Sequence, residues 1–175
     1  MTKIILWIVG EPGVGKTTLA RELLDLNASV LVTQGKVKWT IGRRVCAAGH
    51  YSGGTFDGAD TVPYDGARAC LEYWIANLSD RRLTIFDGDR FSNVNTLGTM
   101  NQPDTYHVCV YLQNPTLAKT RREARGTSQD ASWVKGRGTK AERFYGSFPA
   151  ERRLLLDPLA PVSELAARVR AWLGL

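Results

Sequence analysis

Histidine is nearly absent from this chain: His50 and His107 are the only two in 175 residues. That leaves too few clustered ligands for a zinc site. Cysteine is scarce as well. Cys46, Cys70 and Cys109 are odd in number and scattered, with no C-x-x-C pair, which argues against a disulfide framework and for a reducing compartment. The N-terminal apolar run, Ile4 to Val9, is far too short to span a membrane. Lys3 ahead of it imitates a secretory signal, but the run ends at Gly10 in a glycine-rich loop, so it reads as a strand rather than a targeting segment. Internal repeats and low-complexity tracts are lacking too. A cytoplasmic protein with no membrane contact is the expectation.

What remains is ordinary for a single folded domain spanning residues 1–175: 43% apolar residues and 23% charged ones. The charge is not balanced. A net +6 and a pI near 9.4 suit an acidic partner.

The chain is organised around Gly10-Glu11-Pro12-Gly13-Val14-Gly15-Lys16-Thr17. An apolar strand precedes it, and Thr18 to Leu24 has helical spacing behind it, which is the context a phosphate-binding loop requires. Glycines let successive backbone N–H groups point at phosphate oxygens, and the helix N-terminus adds partial positive charge. Gly10, Gly13, Val14, Gly15, Lys16, Thr17 and Thr18 are therefore the expected nucleotide-binding residues. Lys16 reaches for the β- and γ-phosphates, and the Thr17 hydroxyl is a Mg²⁺ ligand. ATP and Mg²⁺ are the implied cofactors.

Further along, Val30 to Thr33 reads as a second core strand buried on both faces. Val37 to Tyr51 alternates with a period of two, as in an extended arm or hairpin beside the core. Its Arg43-Arg44 pair is either a phosphate contact or a solvated edge. A loop from Ser52 to Tyr64 carries Asp57 and Asp60, with Phe56 and Tyr64 as candidate stacking rings. Asp60 is either a site carboxylate or a turn residue. A helix from about Asp65 to Leu78 follows.

The strand Arg81 to Phe86 runs directly into Asp87-Gly88-Asp89-Arg90. Carboxylates at the C-terminal end of a core strand sit where such folds bind ligands. Asp87 can hold Mg²⁺ or orient an acceptor hydroxyl, Asp89 can do either, and Arg90 can clamp a phosphate; alternatively, one Asp caps the helix starting near Ser92. A fourth strand, Thr105 to Leu112, and a helix after Asn114-Pro115 lead into a basic stretch. From Lys119 to Arg143 there are eight basic residues against three acidic ones. With Gly126, Gly136 and Gly138 as hinges, this stretch suits a mobile lid closing over a triphosphate. Arg121, Arg125, Arg137 and Arg143 are its candidate cations. Trp133 either stacks on a base or packs inside the lid. A fifth strand, Arg153 to Leu156, and a helix capped by Ser163 end the chain.

Three runs carry a resemblance. They are Gly53-Gly54-Thr55-Phe56-x-Gly58-x-Asp60, Phe86-Asp87-Gly88-Asp89-Arg90-Phe91-Ser92-Asn93, and Arg125-Gly126-Thr127-x-Gln129-x-x-x-Trp133-x-Lys135-Gly136-Arg137-x-Thr139-Lys140. With the phosphate loop, and spanning Ile4 to about Arg143, they resemble the bacteriophage 5-hydroxymethyluracil DNA kinases. The resemblance implies transfer of the ATP γ-phosphate to the hydroxymethyl group of that base in phage DNA, a step toward hypermodified thymidine. DNA containing 5-hydroxymethyluracil is then the expected partner. Asp60, Asp87 and Asp89 are the candidate proton acceptors, with Asp87 favoured and Asp60 placed against substrate.

The fold expected is α/β: a three-layer α/β/α P-loop kinase fold with a five-stranded parallel core sheet, a small β insertion over about 37–64 and a basic lid over about 121–143. A nucleoside or nucleoside-monophosphate kinase is the close rival, and a nucleic-acid-stimulated ATPase is the rival from another class. An Asn-Lys-x-Asp base-reading motif, which a switch GTPase would carry, is missing.

Overall fold

The computed structural model describes residues 2–24, 26–53, 57–126 and 129–175. Gly54, Thr55, Phe56, Thr127 and Ser128, all within the runs singled out above, lie outside the described residues. Among the described residues, seven strands form one sheet flanked by six α-helices. In chain order these are β1 (Lys3–Gly10), α1 (Lys16–Leu23), β2 (Val30–Gln34), β3 (Val37–Ile41), β4 (Val45–Ala48), α2 (Ala67–Asn77) and β5 (Leu83–Asp87). There follow α3 (Val94–Met100), β6 (Thr105–Leu112), α4 (Pro115–Ala124), α5 (Ala131–Gly146), β7 (Arg153–Leu156) and α6 (Val162–Leu173). No helix among the described residues is long and apolar enough to cross a membrane.

The sheet order is β2-β3-β4-β5-β1-β6-β7. Strands β4, β5, β1, β6 and β7 run parallel to one another, whereas the β2–β3 hairpin adds antiparallel pairings at the β4 edge. The strand at Val30 is therefore not a core strand. It is the outer edge of a hairpin, with Val30 and Leu31 exposed. The core strand comes instead from Val45–Ala48, inside the segment read as a peripheral arm. Its four small residues are too few to show a pattern, but packing between β3 and β5 buries three of them.

Strand β1 explains the layering. Seven of its eight residues are buried because helices cover both faces of the sheet. Its period of two sends Ile5, Trp7 and Val9 into one core, with α2 and α5, and Ile4, Leu6 and Ile8 into the other, with α1 and α6. The first core is aromatic. Trp7 stacks on Phe86 with ring centroids 4.8 Å apart, and Phe144 of α5 meets Trp7 edge-on at 5.4 Å. The buried indoles are satisfied: Trp7 donates to His107 Nδ1, Trp39 to the Cys70 carbonyl and Trp74 to Thr84 Oγ1. His107, its Nε2 facing the Met100 carbonyl, thus has a structural role. All three cysteines are free and buried, and burial pushes the Cys46 thiol up to about 12.

Helix termini depart from the sequence reading at two places. The cap of α3 is Asn93, whose side chain accepts from the Thr96 N–H, so neither Asp87 nor Asp89 serves that purpose. Helix α6 begins after Pro161, and Ser163 lies within its first turn rather than capping it. Gly136 and Gly138, expected as hinges, lie inside the continuous helix α5, whose second half is anchored by buried Ala141 and Phe144.

Beyond β4 the chain turns through Gly49, where φ is +99° and a Cβ would stand 2.0 Å from the Gly58 carbonyl oxygen. That close approach lets His50 bridge to Gly58 and brings the Asp57–Asp60 loop back over the end of the sheet. Gly49→Ala is expected to destabilise the protein by about 2 kcal/mol or more, through a left-handed backbone and a clash that no side chain can relieve. Urea unfolding, read as a shift in midpoint at constant slope, measures it.

Candidate active site

The C-terminal ends of β1, β4 and β5 bring the site together. β1 delivers Gly10 to Thr17, β5 delivers Asp87 to Asp89, and the turn after β4 delivers Tyr51 and the Asp57–Asp60 loop. Gly10, Gly13, Gly15, Lys16, Thr17, Thr18, Asp60, Asp87 and Asp89 line one cleft of about 300 Å³ with residues from the basic stretch. A larger hollow near Ile4, Tyr106 and Trp172 lies at the opposite end of the strands, remote from the glycine loop.

Asp87 is the hub. It is 2% exposed, and its oxygens accept three hydrogen bonds from three segments. The Thr17 hydroxyl donates to Oδ2 at 2.6 Å, while the Tyr51 hydroxyl and the Ala59 N–H donate to Oδ1 at 2.6 and 3.0 Å. Gly58 makes room for this convergence: with φ +71°, a Cβ there would come within 3.0 Å of both the Thr17 methyl and the Asp87 carboxylate. Burial, then the Asp87 charge and its hydrogen bond, hold the Tyr51 phenol protonated well above its usual range, so Tyr51 is a donor to Asp87. Sequence reading missed Tyr51, because the core strand it follows, β4, lay within the segment read as a peripheral arm.

Lys16 donates to the carbonyls of Gly10 and Glu11 at 3.0 and 2.9 Å, which folds its ammonium over the loop. Burial lowers its pKa, against the raising effect of Asp87, Asp60 and Glu11. Thr17 and Asp87 together suit Mg²⁺, which is commonly held by one or two protein oxygens and the phosphates of its nucleotide. Among the described residues no cluster of three acidic, histidine or cysteine ligands offers a different metal site.

Helix α4 braces the loop from the other side. Arg121 donates to the Val14 carbonyl at 2.9 Å and so supports the loop rather than lining the cleft. Its neighbour Arg122 lines the cleft, within 3.4 Å of Glu11, and no sequence signal separates the two. Arg125, Gln129, Trp133 and Arg137 complete the cleft wall. Arg137 pairs with Asp89, and Lys140 donates to the Asp89 carbonyl at 2.8 Å, fastening α5 to the loop after β5. Arg143 is exposed outside the cleft. Arg43 and Arg44 precede β4, at the far end of the sheet from the loop.

Two acidic residues of the β4–α2 loop divide the work. Asp57 is buried, accepts from the Ser52 and Gly53 N–H groups, and pairs with Arg21 of α1 at 2.5 Å. It ties the loop to the helix behind the glycine loop. Asp60 opens into the cleft, 3.8 Å from Arg90, which also donates to the Val62 carbonyl. Partial desolvation in the cleft, then the Asp87 charge, raise its pKa, and Arg90 opposes them.

No family model matches the chain, and no curated protein matches it in sequence. Solved structures do match. A gluconokinase from Sinorhizobium meliloti 1021 aligns at 14% identity with a TM-score of 0.55, over 99% of this chain and 91% of that one. A sugar kinase from Janibacter sp. HTCC2649 aligns at 16% identity with a TM-score of 0.57, over 99% and 95%. This chain shares the fold of these two kinases. The cleft described above lies at the glycine-loop end of that fold.

A carboxylic acid whose pKa is raised on folding binds its proton more tightly in the folded state. Its ionisation therefore costs stability as pH rises through the folded pKa. Asp60→Asn removes that cost. The variant is expected to unfold at higher denaturant than wild type at pH 7, with the gain vanishing below the ordinary aspartate pKa of about 3.9. Urea titrations at pH 7 and pH 3 check both limbs.

Proposed function

We propose that this chain is an ATP- and Mg²⁺-dependent kinase whose acceptor is an alcohol, the hydroxymethyl group of 5-hydroxymethyluracil in DNA. One observation carries the kinase reading: the Thr17 hydroxyl donates to Asp87 beside the Lys16 ammonium, in a loop whose fold is shared with solved kinases. Three things support the acceptor. They are the resemblance of the Asp-bearing runs and basic stretch, the net charge of +6, and a cleft lined by rings as well as by carboxylates and arginines.

In this reading Lys16 and the loop N–H groups hold the β- and γ-phosphates. Magnesium, when bound through Thr17 and Asp87, supplies neutralisation of the phosphate charge. Arg122, Arg125 and Arg137 add positive charge around the transferred group. The acceptor oxygen bonds to the γ-phosphorus as the bond to the bridging oxygen breaks, and the alcohol proton leaves to a carboxylate. With its oxygens taken by Thr17, Tyr51 and Ala59, Asp87 is better suited to the metal than to that proton. Asp89 is held by Arg137. Asp60, open to the cleft and raised in pKa, is the proposed proton acceptor, and Asp87, favoured from the sequence, takes the metal role.

A nucleoside or nucleoside-monophosphate kinase is the second reading. The likeness to a solved gluconokinase and a solved sugar kinase, both named for small-molecule acceptors, favours it. Incubation with γ-labelled ATP, Mg²⁺ and three acceptors separates the readings. Label on 5-hydroxymethyluracil DNA alone is the expected result; label on a free nucleoside or monophosphate instead would replace the acceptor, and inorganic phosphate as the only labelled product would make the chain an ATPase. In the transfer assay, Asp60→Asn should lower kcat by about two orders of magnitude, with KM for ATP little changed. An unaltered kcat would return the base role to Asp87 or Asp89. Asp87→Asn should lose at least as much while still binding ATP, and wild-type turnover in that variant would remove Asp87 from the site.

A further inference from the structure

Two aromatic side chains line the cleft without being needed by the core. Tyr64 is 74% exposed and Trp133 is 40% exposed, whereas Trp7, Trp39, Trp74, Phe86 and Phe91 are fully buried. They come from separate elements, Tyr64 from the turn before α2 and Trp133 from the first turn of α5, and both face the cleft that holds Lys16, Asp60 and Asp87. Each carries a guanidinium on its ring. Arg90 lies 4.2 Å from the Tyr64 centroid and Arg137 lies 5.0 Å from that of Trp133. Each guanidinium is in turn tied to a cleft carboxylate, Arg90 to Asp60 and Arg137 to Asp89. The rings are thus held in place by the groups that surround the transfer site.

We infer that the acceptor enters as a single planar base, taken out of the DNA stack and laid against Tyr64 and Trp133. This rests on the acceptor reading above and adds to it the way the base is presented. Inside a duplex both faces of a base are covered by its neighbours, so only its edge is available to a protein. Stacking on a side chain requires extrusion, which costs least where the base is mismatched or single-stranded. The cleft of about 300 Å³, part of which the phosphates of the nucleotide take up in this reading, is far too small to admit a double helix. Rings at its wall recover, by stacking, much of the energy lost when the base leaves its neighbours.

The test uses the full chain with 5-hydroxymethyluracil placed in single-stranded, mismatched and fully paired DNA. Wild type is expected to show higher kcat/KM on the single-stranded and mismatched acceptors. Tyr64→Leu and Trp133→Leu should each raise KM for acceptor DNA about tenfold or more while KM for ATP holds. Both residues are exposed, and an unchanged melting temperature verifies that the variants fold. Trp133→Phe, which keeps a ring, should recover most of the affinity lost by Trp133→Leu; a merely space-filling role predicts no such difference. Unchanged acceptor KM in both leucine variants, or equal kcat/KM on all three DNAs, overturns the stacking while leaving the kinase reading intact. If wild type labels none of the three DNAs, the DNA acceptor itself fails and the stacking with it.

Discussion

The Asp87 carboxylate is the constraint on which the rest of the site depends. A carboxylate at 2% exposure is tolerable only if its oxygens are filled by donors, since an unpaired buried charge costs several kcal/mol. The donors come from three segments: Thr17 from the glycine loop, Tyr51 from the turn after β4, and Ala59 from the loop beyond. Satisfying one anion therefore locks the glycine loop to the turn after β4 and to the loop that carries Asp60. The strand register supplies the common floor, with Ile8 beside Asp87 and Ala47 beside Ile85.

A second buried pair repeats the device one layer out. Asp57 joins Arg21 on α1 to the backbone of residues 52 and 53, so the loop that carries Asp60 is fastened to the helix carrying Lys16 and Thr17. Asp60 is left open to the cleft, beside Asp87 and opposite Arg90. In the proposed reaction Asp60 is the better-placed proton acceptor of the loop, at some cost in stability when ionised. Such opposition between stability and chemistry is common at functional sites. The α5 side is built from a different balance, with Arg137 and Lys140 fastening a helix whose far half is sunk in the aromatic core. Gly136 and Gly138 of the basic stretch thus lie within a docked helix, whereas Gly126 follows the end of α4 at φ +67°.

Where the sequence misled, the cause was tertiary. Val30 to Thr33 has the composition of a buried strand, yet it is the exposed edge of a hairpin. Burial is conferred by neighbours, and β2 has one on a single side. Val45–Ala48 has no marked pattern of its own, and becomes a core strand because β3 and β5 flank it. Ser163 has the chemistry of a cap, but the chain enters α6 at Pro161.

The glycine loop was legible in the sequence by itself. Its pattern is a property of eight contiguous residues: glycines for the backbone, a lysine and a hydroxyl at fixed offsets, and a helix start to aim the N–H groups. The parallel α/β character and the placing of Asp87 at a strand end were also local, for the same reason. Which carboxylate does what was decided only by the tertiary structure. Asp57, Asp60, Asp87 and Asp89 look alike in sequence; they differ because one pairs with Arg21, one opens to the cleft, one receives three donors and one is held by α5. Those partners lie 28 to 70 residues away along the chain, and no local pattern encodes a contact that the fold must close.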